Sequence, residues 1–362
     1  LYCKKEIIYI QNIVYLYIKY LSTILTPLSI SVYSRDIKNC FWSVVMKKIA
    51  VMFLAIFMCF SLLANGSSEK TTGKYKIGVC QLVQHPALDA ATEGFIDAVN
   101  AGLGAENVTI DNQNASGEAT NCATIINGFV ASNVDLILAN ATAPLQAAAS
   151  ATDSIPILGT SVTDYASALE IDGWTGTVGK NISGTSDLAP LSDQAKMIKE
   201  LFPEAKSVAL LYCSAEANSV FQVEEMQKYL TEMGIESKMY SFTDTNDVAS
   251  VAQKATQEDV IYIPTDNTAA SNTEAIANIV VPAKTPVIAG EEGICKGCGV
   301  ATLSISYYDL GYKTGEMAVK ILKDGESIST MPIEYAPQVT KKYNASICAQ
   351  LGITPPEGYE AI

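Results

Sequence analysis

Small polar and acidic side chains recur at spaced places along this chain of 362 residues: Gln84 and His85, Asn140 and Thr142, Ser161 with Thr163 and Asp164, Asp187, then Glu216, Asn218 and Ser219, Asp266 with Asn267, and Glu291. Nearly all of them follow a short apolar run, and most precede a stretch of helical periodicity. Carboxylates pair with an ammonium group, while hydroxyls and helix N-terminal amides hold a carboxylate. As a set these groups suit a small zwitterion. Taken singly, Ser, Thr, Asp and Asn in such places are ordinary helix caps; only their convergence points to a ligand.

Other chemistries fit poorly. His85 is the only histidine, and no G-x-S-x-G elbow or neighbouring nucleophile accompanies it. Cys295 and Cys298 form a C-x-x-C, but two thiols with one distant histidine fall short of a zinc site. A loop disulfide is slightly favoured for them if the compartment is oxidising. Cys80, Cys122, Cys213 and Cys348 lie in or beside apolar elements and read as core. No metal and no cofactor is expected. Arg35 is the only arginine, so residues 67–362 have no bidentate clamp for a carboxylate or phosphate. Residues 67–362 carry 17 basic and 36 acidic side chains, which argues against nucleic acid as a partner.

The elements that must position the set alternate regularly. Lys76 to Gly94 reads as a strand, a short loop and a helix, with Pro86 in the first helical turn. Leu88, Ala91, Phe95 and Val99 follow at helical spacing. Strands near 108–111, 134–139 and 155–158 continue the pattern, interleaved with helices. Asp172 to Asp187, with its glycines and Trp174, reads as a link between domains, Trp174 packing near the hinge. The pattern then restarts, with strands near 207–212, 236–242, 260–263 and 286–289. Ala301 to Ile305 reads as a crossing strand, Tyr308 to Leu322 as an amphipathic helix and Ile333 to Val339 as a late strand. Such alternation predicts an α/β fold of two Rossmann-like lobes, each a parallel sheet flanked by helices. Ligands of open α/β sheets bind at the carboxyl ends of strands, where the polar set falls.

The front of the chain has its own logic. Met46-Lys47-Lys48, an apolar run from Ile49 to Ala64 and the small residues around Gly66 form a signal peptide over 46–66. No lipid-attachment cysteine stands near Gly66, so lipid anchoring is left open, and an exported protein, periplasmic or at the cell surface, is expected. Residues 1–45, rich in Tyr and Ile, read as a non-native upstream extension; the rival, an apolar anchor over Ile7 to Tyr33, is interrupted by Lys19 and Pro27. Residues 67–74 form a polar linker.

Seven blocks carry a resemblance: QLVQHPALDAATEGF, IDNQN, VDLILANATAPLQAA, SGTSDLAP, SAEANSVFQVEE, YIPTDNTAAS and SYYDLGYKTGEMA, in that order. Over roughly Lys74 to Gly352 the chain resembles the tryptophan/tyrosine-type substrate-binding proteins of ABC transporters. The resemblance implies a type I periplasmic-binding-protein fold, with two lobes, a three-segment hinge and closure on ligand. It places lobe one at 75–183 and 300–326 and lobe two at 184–299 and 327–362. It implies a non-catalytic, monomeric receptor that carries an amino acid, aromatic by analogy, to a membrane permease. Within its blocks the cleft candidates are Gln84, His85, Asn140, Thr142, Ser161, Asp187, Glu216, Asn218, Ser219, Asp266, Asn267 and Glu291. Glu216, Asp187 and Asp266 are assigned to a ligand ammonium, Thr142 and Ser161 to a carboxylate, and Tyr307, Tyr308 or Tyr165 to an aromatic side chain. Two alternatives stay open: a sensor receptor without a transport role, and a secreted enzyme on the same scaffold.

Overall fold

A computed structural model describes residues 75–336 and 338–362. The signal peptide, the upstream extension and the linker expected before residue 75 lie outside the described residues.

The chain builds β1 (Tyr75–Gln81), α1 (Pro86–Leu103), β2 (Val108–Asn114), α2 (Ala119–Ala131), β3 (Leu136–Asn140), α3 (Thr142–Ala151), β4 (Ile157–Val162), α4 (Tyr165–Ala168) and β5 (Ile182–Ser186). β3, β4 and β5 are buried along their whole length. Such strands are covered on both faces, as parallel strands between helices must be. The second array follows: α5 (Leu191–Leu201), β6 (Ser207–Cys213), α6 (Ala217–Glu232), β7 (Glu236–Phe242), α7 (Val248–Ala255), β8 (Val260–Ile263), α8 (Asn267–Ser271), α9 (Thr273–Ala283), β9 (Val287–Ala289), α10 (Glu292–Cys298) and β10 (Ala301–Ser304). Then come α11 (Tyr307–Val319), β11 (Glu334–Tyr335), β12 (Thr340–Tyr343), α12 (Ala345–Leu351) and β13 (Glu360–Ala361).

One sheet runs β11-β5-β4-β3-β1-β2 and the other β13-β12-β10-β9-β8-β6-β7. All pairings are parallel except β10 with β12. In each lobe the first strand lies inside the second, so the strand order reverses between β1 and β3 and between β6 and β8. These are topological switch points, where the connecting loops part and leave a crevice. Each sheet has apolar cores on both faces, with Leu145, Phe129 and Tyr165 on one side of the first and Phe95, Val99 and Met317 on the other.

All three expected lobe boundaries shift. β5, expected to open lobe two at 184, pairs with β4 in the first sheet. β10, expected to open the return to lobe one at 300, pairs with β9 and β12 in the second. Ile328, Met331 and Ile333 pack in the first lobe's cores, beyond the expected exit at 327. The chain therefore crosses after β5, after β10 and between β11 and β12. The glycines that mark 172–187 as a link serve turns inside lobe one: Gly173, Gly176 and Gly179 have positive φ before β5 begins. Trp174 lies in that loop, against the lobe-one core, rather than at the crossing. Ile333 to Val339 is not one strand; β11 and β12 belong to different sheets.

The return to lobe one is fixed by a close helix crossing. A Cβ added at Gly311 of α11 would overlap the Ala91 carbonyl of α1, and one at Gly315 would press on Phe95 and Ala98. This approach sets the first residue of α11, Tyr307, beside Ala87 and Ala91 and aims it at the end of β5.

Candidate functional site

The polar set assembles where the two switch points face each other. From lobe one come His85, Leu88, Ser161, Thr163, Asp187 and Tyr307, and from lobe two Asn218, Thr265, Asp266, Asn267, Ala270 and Glu291; together they line one cavity. It is closed down to about 10 Å³, enough for little more than one water molecule. Wider cavities flank it: about 550 Å³ on the side of Pro86, Lys296 and Tyr308, and about 290 Å³ on the side of Val83, Ala143 and Thr268.

Direct bonds join the lobes across the closed cavity. His85 Nε2 lies 3.1 Å from Asn267 Oδ1, and the hydroxyls of Thr163 and Thr265 lie 3.2 Å apart. Gln222 grips Thr265 from both sides, its Nε2 donating to the hydroxyl at 2.6 Å and its Oε1 accepting the Thr265 amide at 3.2 Å. Asp187, at the first crossing, accepts from Thr163 at 3.0 Å and from Tyr307 at 2.9 Å. Residues beside the first two crossings thus meet at one carboxylate, which Thr163 links on to Thr265 of lobe two.

In lobe one, buried polar atoms lack partners: His85 Nδ1 and Ser161 Oγ on the cavity wall, and Asn140 Oδ1 and Thr142 Oγ1 at the end of β3 and the start of α3. Buried polar groups are nearly always hydrogen-bonded, so such a cluster calls for a reason. The backbone beside it is strained. Ala141, which caps α3, has φ 102°, and Ser161, at the end of β4, has φ 53°. Non-glycine residues held there cost on the order of 1–3 kcal/mol each and cluster at functional sites. The amides of Thr142 and Ala143, at the start of α3, have no intrahelical acceptor.

Three buried carboxylates share the cavity, Asp187 from lobe one and Asp266 and Glu291 from lobe two. None has an ion-pair partner among the described residues. Loss of water raises the pKa of Asp187 despite its two hydroxyl donors. Asp266 is pushed up to about 8 by burial and then by the nearby Glu216 charge. Glu291 is pushed up to about 7, again first by burial. Backbone amides hold both of these carboxylates: Cys213 and Ala269 for Asp266, at 2.6 and 2.7 Å, and Gly293 and Ile294 for Glu291. Burial lowers the pKa of His85 and favours its neutral ring.

The structure sorts the sequence candidates. His85, Ser161, Asp187, Asn218, Asp266, Asn267 and Glu291 line the central cavity. Thr142 is buried at the start of α3. Asn140 turns inward, donating to the Leu88 carbonyl at 2.8 Å and to Thr92 Oγ1 at 2.9 Å, so it holds α1 onto β3. Ser219 is wholly buried and accepts from Asn218. Gln84 is exposed and lines none of these cavities. Glu216, assigned to a ligand ammonium, is already occupied: its two oxygens accept the amides of Asn267 and Thr268, the Asn267 side chain and the Thr268 hydroxyl, all within 2.9 Å. Four donors from the start of α8 saturate that carboxylate. Tyr165 is buried in the lobe-one core, donating to the Thr185 carbonyl, and Tyr308 points outward to Asp97. Of the three tyrosines only Tyr307 lines the central cavity.

Thr265, Gln222 and Leu88 are additions. Thr265 sits inside a strand-end stretch and could have been found by asking which residue precedes the Asp266 cap. Gln222 follows Asn218 by one helical turn, which places both on one face of α6. Cys295 and Cys298 are free thiols, both buried in the lobe-two core, and not the loop disulfide favoured above. They lie on α10, three positions apart.

Comparison with known proteins agrees with this geometry. Residues 76–360 match the family described as ABC transporter substrate binding protein. A protein of Clostridioides difficile (strain R20291) named tyrosine-binding protein is 34% identical over 275 residues, 75% of this chain and 79% of that one. A domain from Streptococcus pneumoniae solved in complex with L-Trp is 33% identical, with a TM-score of 0.75 over 80% of this chain and 99% of that one. The ligand-free, open structure of a Clostridium difficile substrate binding protein with adhesive properties is 37% identical over the same shares, yet superposes at only 0.62. The more similar sequence fits less well, as expected when this chain has its lobes closed and that one open. More distant neighbours, such as a leucine binding protein from Thermotoga maritima at 16% identity and a TM-score of 0.53, share the fold. With its two doubly wound lobes, its three crossings and a polar cavity between the switch points, the chain belongs to the ABC transporter substrate-binding protein family.

Proposed function

We propose that the protein is an extracytoplasmic receptor that binds one small zwitterionic amino acid between its lobes and delivers it to an ABC permease. The observation that carries this reading is the set of three buried carboxylates without a cation, lining one cavity with the unpartnered hydroxyl of Ser161. The ammonium of an amino acid supplies the missing charge at Asp187, with Asp266 and Glu291 adding to the field. Its carboxylate meets Thr142, Ser161 and the first amides of α3, which needs no arginine. The relatives named for tyrosine and solved with tryptophan favour an aromatic side chain, and Tyr307 is the aromatic group placed to meet it.

The central cavity is too small for an amino acid while the lobes are shut. Binding therefore requires them to part and reclose, with the Thr163–Thr265 and His85–Asn267 contacts exchanged for bonds through the ligand. A ligand that bridges both walls stabilises the closed form, which is the form a permease would read.

A thermal-shift screen tests the reading. The protein is unfolded and refolded to strip carried-over solute, then heated with each of the twenty amino acids, and with sugars and purines as controls. A ligand present at a hundredfold over its Kd adds about 2.7 kcal/mol, about 5 °C for a chain of this size at roughly 2 °C per kcal/mol. A rise confined to tryptophan, tyrosine or phenylalanine supports the aromatic reading. A rise with sugars or purines alone overturns the amino-acid assignment.

A further inference from the structure

Glu216, Asn267 and His85 form a chain of hydrogen bonds whose direction is fixed at one end. Glu216 carries two carboxylate oxygens that only accept. Asn267 must therefore present its NH₂ group to Glu216, which it does at 2.7 Å. Its amide oxygen then faces His85 Nε2 at 3.1 Å, and that nitrogen must carry the ring proton. A neutral imidazole has one donor and one acceptor nitrogen. His85 Nδ1 is therefore a bare acceptor. It is buried in the closed cleft without a partner, on a residue only 7% exposed.

The two ends of this chain lie on different lobes. His85 precedes α1 in lobe one, whereas Glu216 and Asn267 start α6 and α8 in lobe two. The ring is thus oriented only when the lobes close. We propose that closure sets the tautomer of His85 through the Glu216–Asn267 relay, and so selects a ligand that offers an N–H or O–H donor to Nδ1. This inference rests on the amino-acid reading above and names a specificity element within that site. His85 touches the ligand; Asn267 and Glu216 are positioning residues. With the ligand ammonium at Asp187, a phenol hydroxyl or an indole N–H satisfies Nδ1, and a purely hydrocarbon side chain leaves it unpaired.

Several charges bear on the ring. Asp89 lies one turn along α1 and Glu216 faces it from lobe two, both favouring the imidazolium, while burial opposes it more strongly. Asp187, Asp266 and Glu291 line the same cavity. Protonation of Nδ1 would replace the acceptor with a donor and turn the selection round.

Because His85 is the only histidine, ¹⁵N-histidine labelling reads its ring without assignment. With L-tyrosine at saturation, one protonated nitrogen, Nε2, and one hydrogen-bonded bare nitrogen, Nδ1, are expected. In Glu216→Gln the Asn267 amide can turn over, and a mixture of tautomers is expected. Two further variants separate ligand contact from lobe latching. His85→Asn places its amide near the Nδ1 position and keeps an acceptor there. His85→Gln reaches the Nε2 position and keeps only the link to Asn267. Affinity for L-tyrosine should fall on the order of tenfold further in His85→Gln than in His85→Asn, about the worth of one buried hydrogen bond. A protonated Nδ1 in the complex, or a greater loss in His85→Asn, overturns the relay while leaving the receptor intact. Failure of the unaltered protein to bind tyrosine, tryptophan or phenylalanine overturns the aromatic reading and the relay with it.

Discussion

Three acids enclosed in one cavity without a cation cannot all stay ionised, so ligand binding must be linked to protons. At pH 6 Glu291, with its pKa at about 7, and Asp266, at about 8, are both mainly protonated. Asp187 is raised by the same loss of water. An ammonium pairs with the ionised form, so a ligand charge held by Glu291 or Asp266 expels a proton at that pH. By pH 8 Glu291 is mostly ionised and Asp266 about half so, and the expulsion is largely complete. One ionisation with a pKa near 7 changes affinity by about tenfold per pH unit below it, about 1.4 kcal/mol. Affinity for the amino acid should therefore rise about tenfold from pH 6 to pH 8 and level off beyond. Stability of the unliganded protein moves the other way. The folded pKa values lie above the unfolded ones, so the native state holds more protons. Stability is greatest below pH 4 as far as these acids are concerned and is lost as pH rises towards 8. Calorimetric titrations in two buffers of different ionisation enthalpy count the protons released. Affinity that is flat from pH 6 to pH 8, with no proton release, would show that these carboxylates do not hold the ligand's charge.

Other consequences are more local. Gly311→Val should lower the melting temperature by several degrees, since overpacking costs roughly 1–3 kcal/mol, and circular dichroism would reveal an unchanged melt if α1 and α11 could separate. Ser161→Gly relieves a positive φ and removes a hydroxyl at once; it should stabilise the unliganded protein by about 0.5–1 kcal/mol yet weaken amino-acid binding. A gain in both would remove Ser161 from the ligand site. Thr163→Val deletes one bond between the lobes, worth about 0.5–1.5 kcal/mol, and a donor to Asp187 within lobe one; small-angle scattering should show a larger open fraction before ligand is added, and the same profile as the parent would deny the inter-lobe bond a role in closure. Cys295 and Cys298 should resist thiol reagents until the protein unfolds, and rapid labelling of the native protein would contradict their burial.

Much of this architecture is legible in the chain. Fully apolar runs such as Leu136 to Ala139 can only be strands buried on both faces, and each ends in polar residues that start a helix. That regularity is local, so periodicity detects it. What escaped depends on distant parts meeting. The glycines before Ile182 look like a hinge because backbone freedom is the same in a turn and in a linker. Four residues of β10 carry too little pattern to reveal which sheet they join. Glu216 has the right type and place for an ammonium ligand, but its charge is consumed by amides some fifty residues away. The bond from Tyr307 to Asp187 spans 120 positions and depends on a helix crossing that no window of sequence contains.

The most direct test of the receptor reading is a calorimetric titration of the refolded protein with L-tryptophan and L-tyrosine at pH 8, beside its Asp187→Asn variant. One saturable site per chain is expected, weakened on the order of a hundredfold in the variant, because removing one partner of a buried charge pair costs about 3–5 kcal/mol at most and the neighbouring acids retain part of the field. Equal affinity in the two proteins, or no saturable binding of any amino acid to the parent, would contradict that reading.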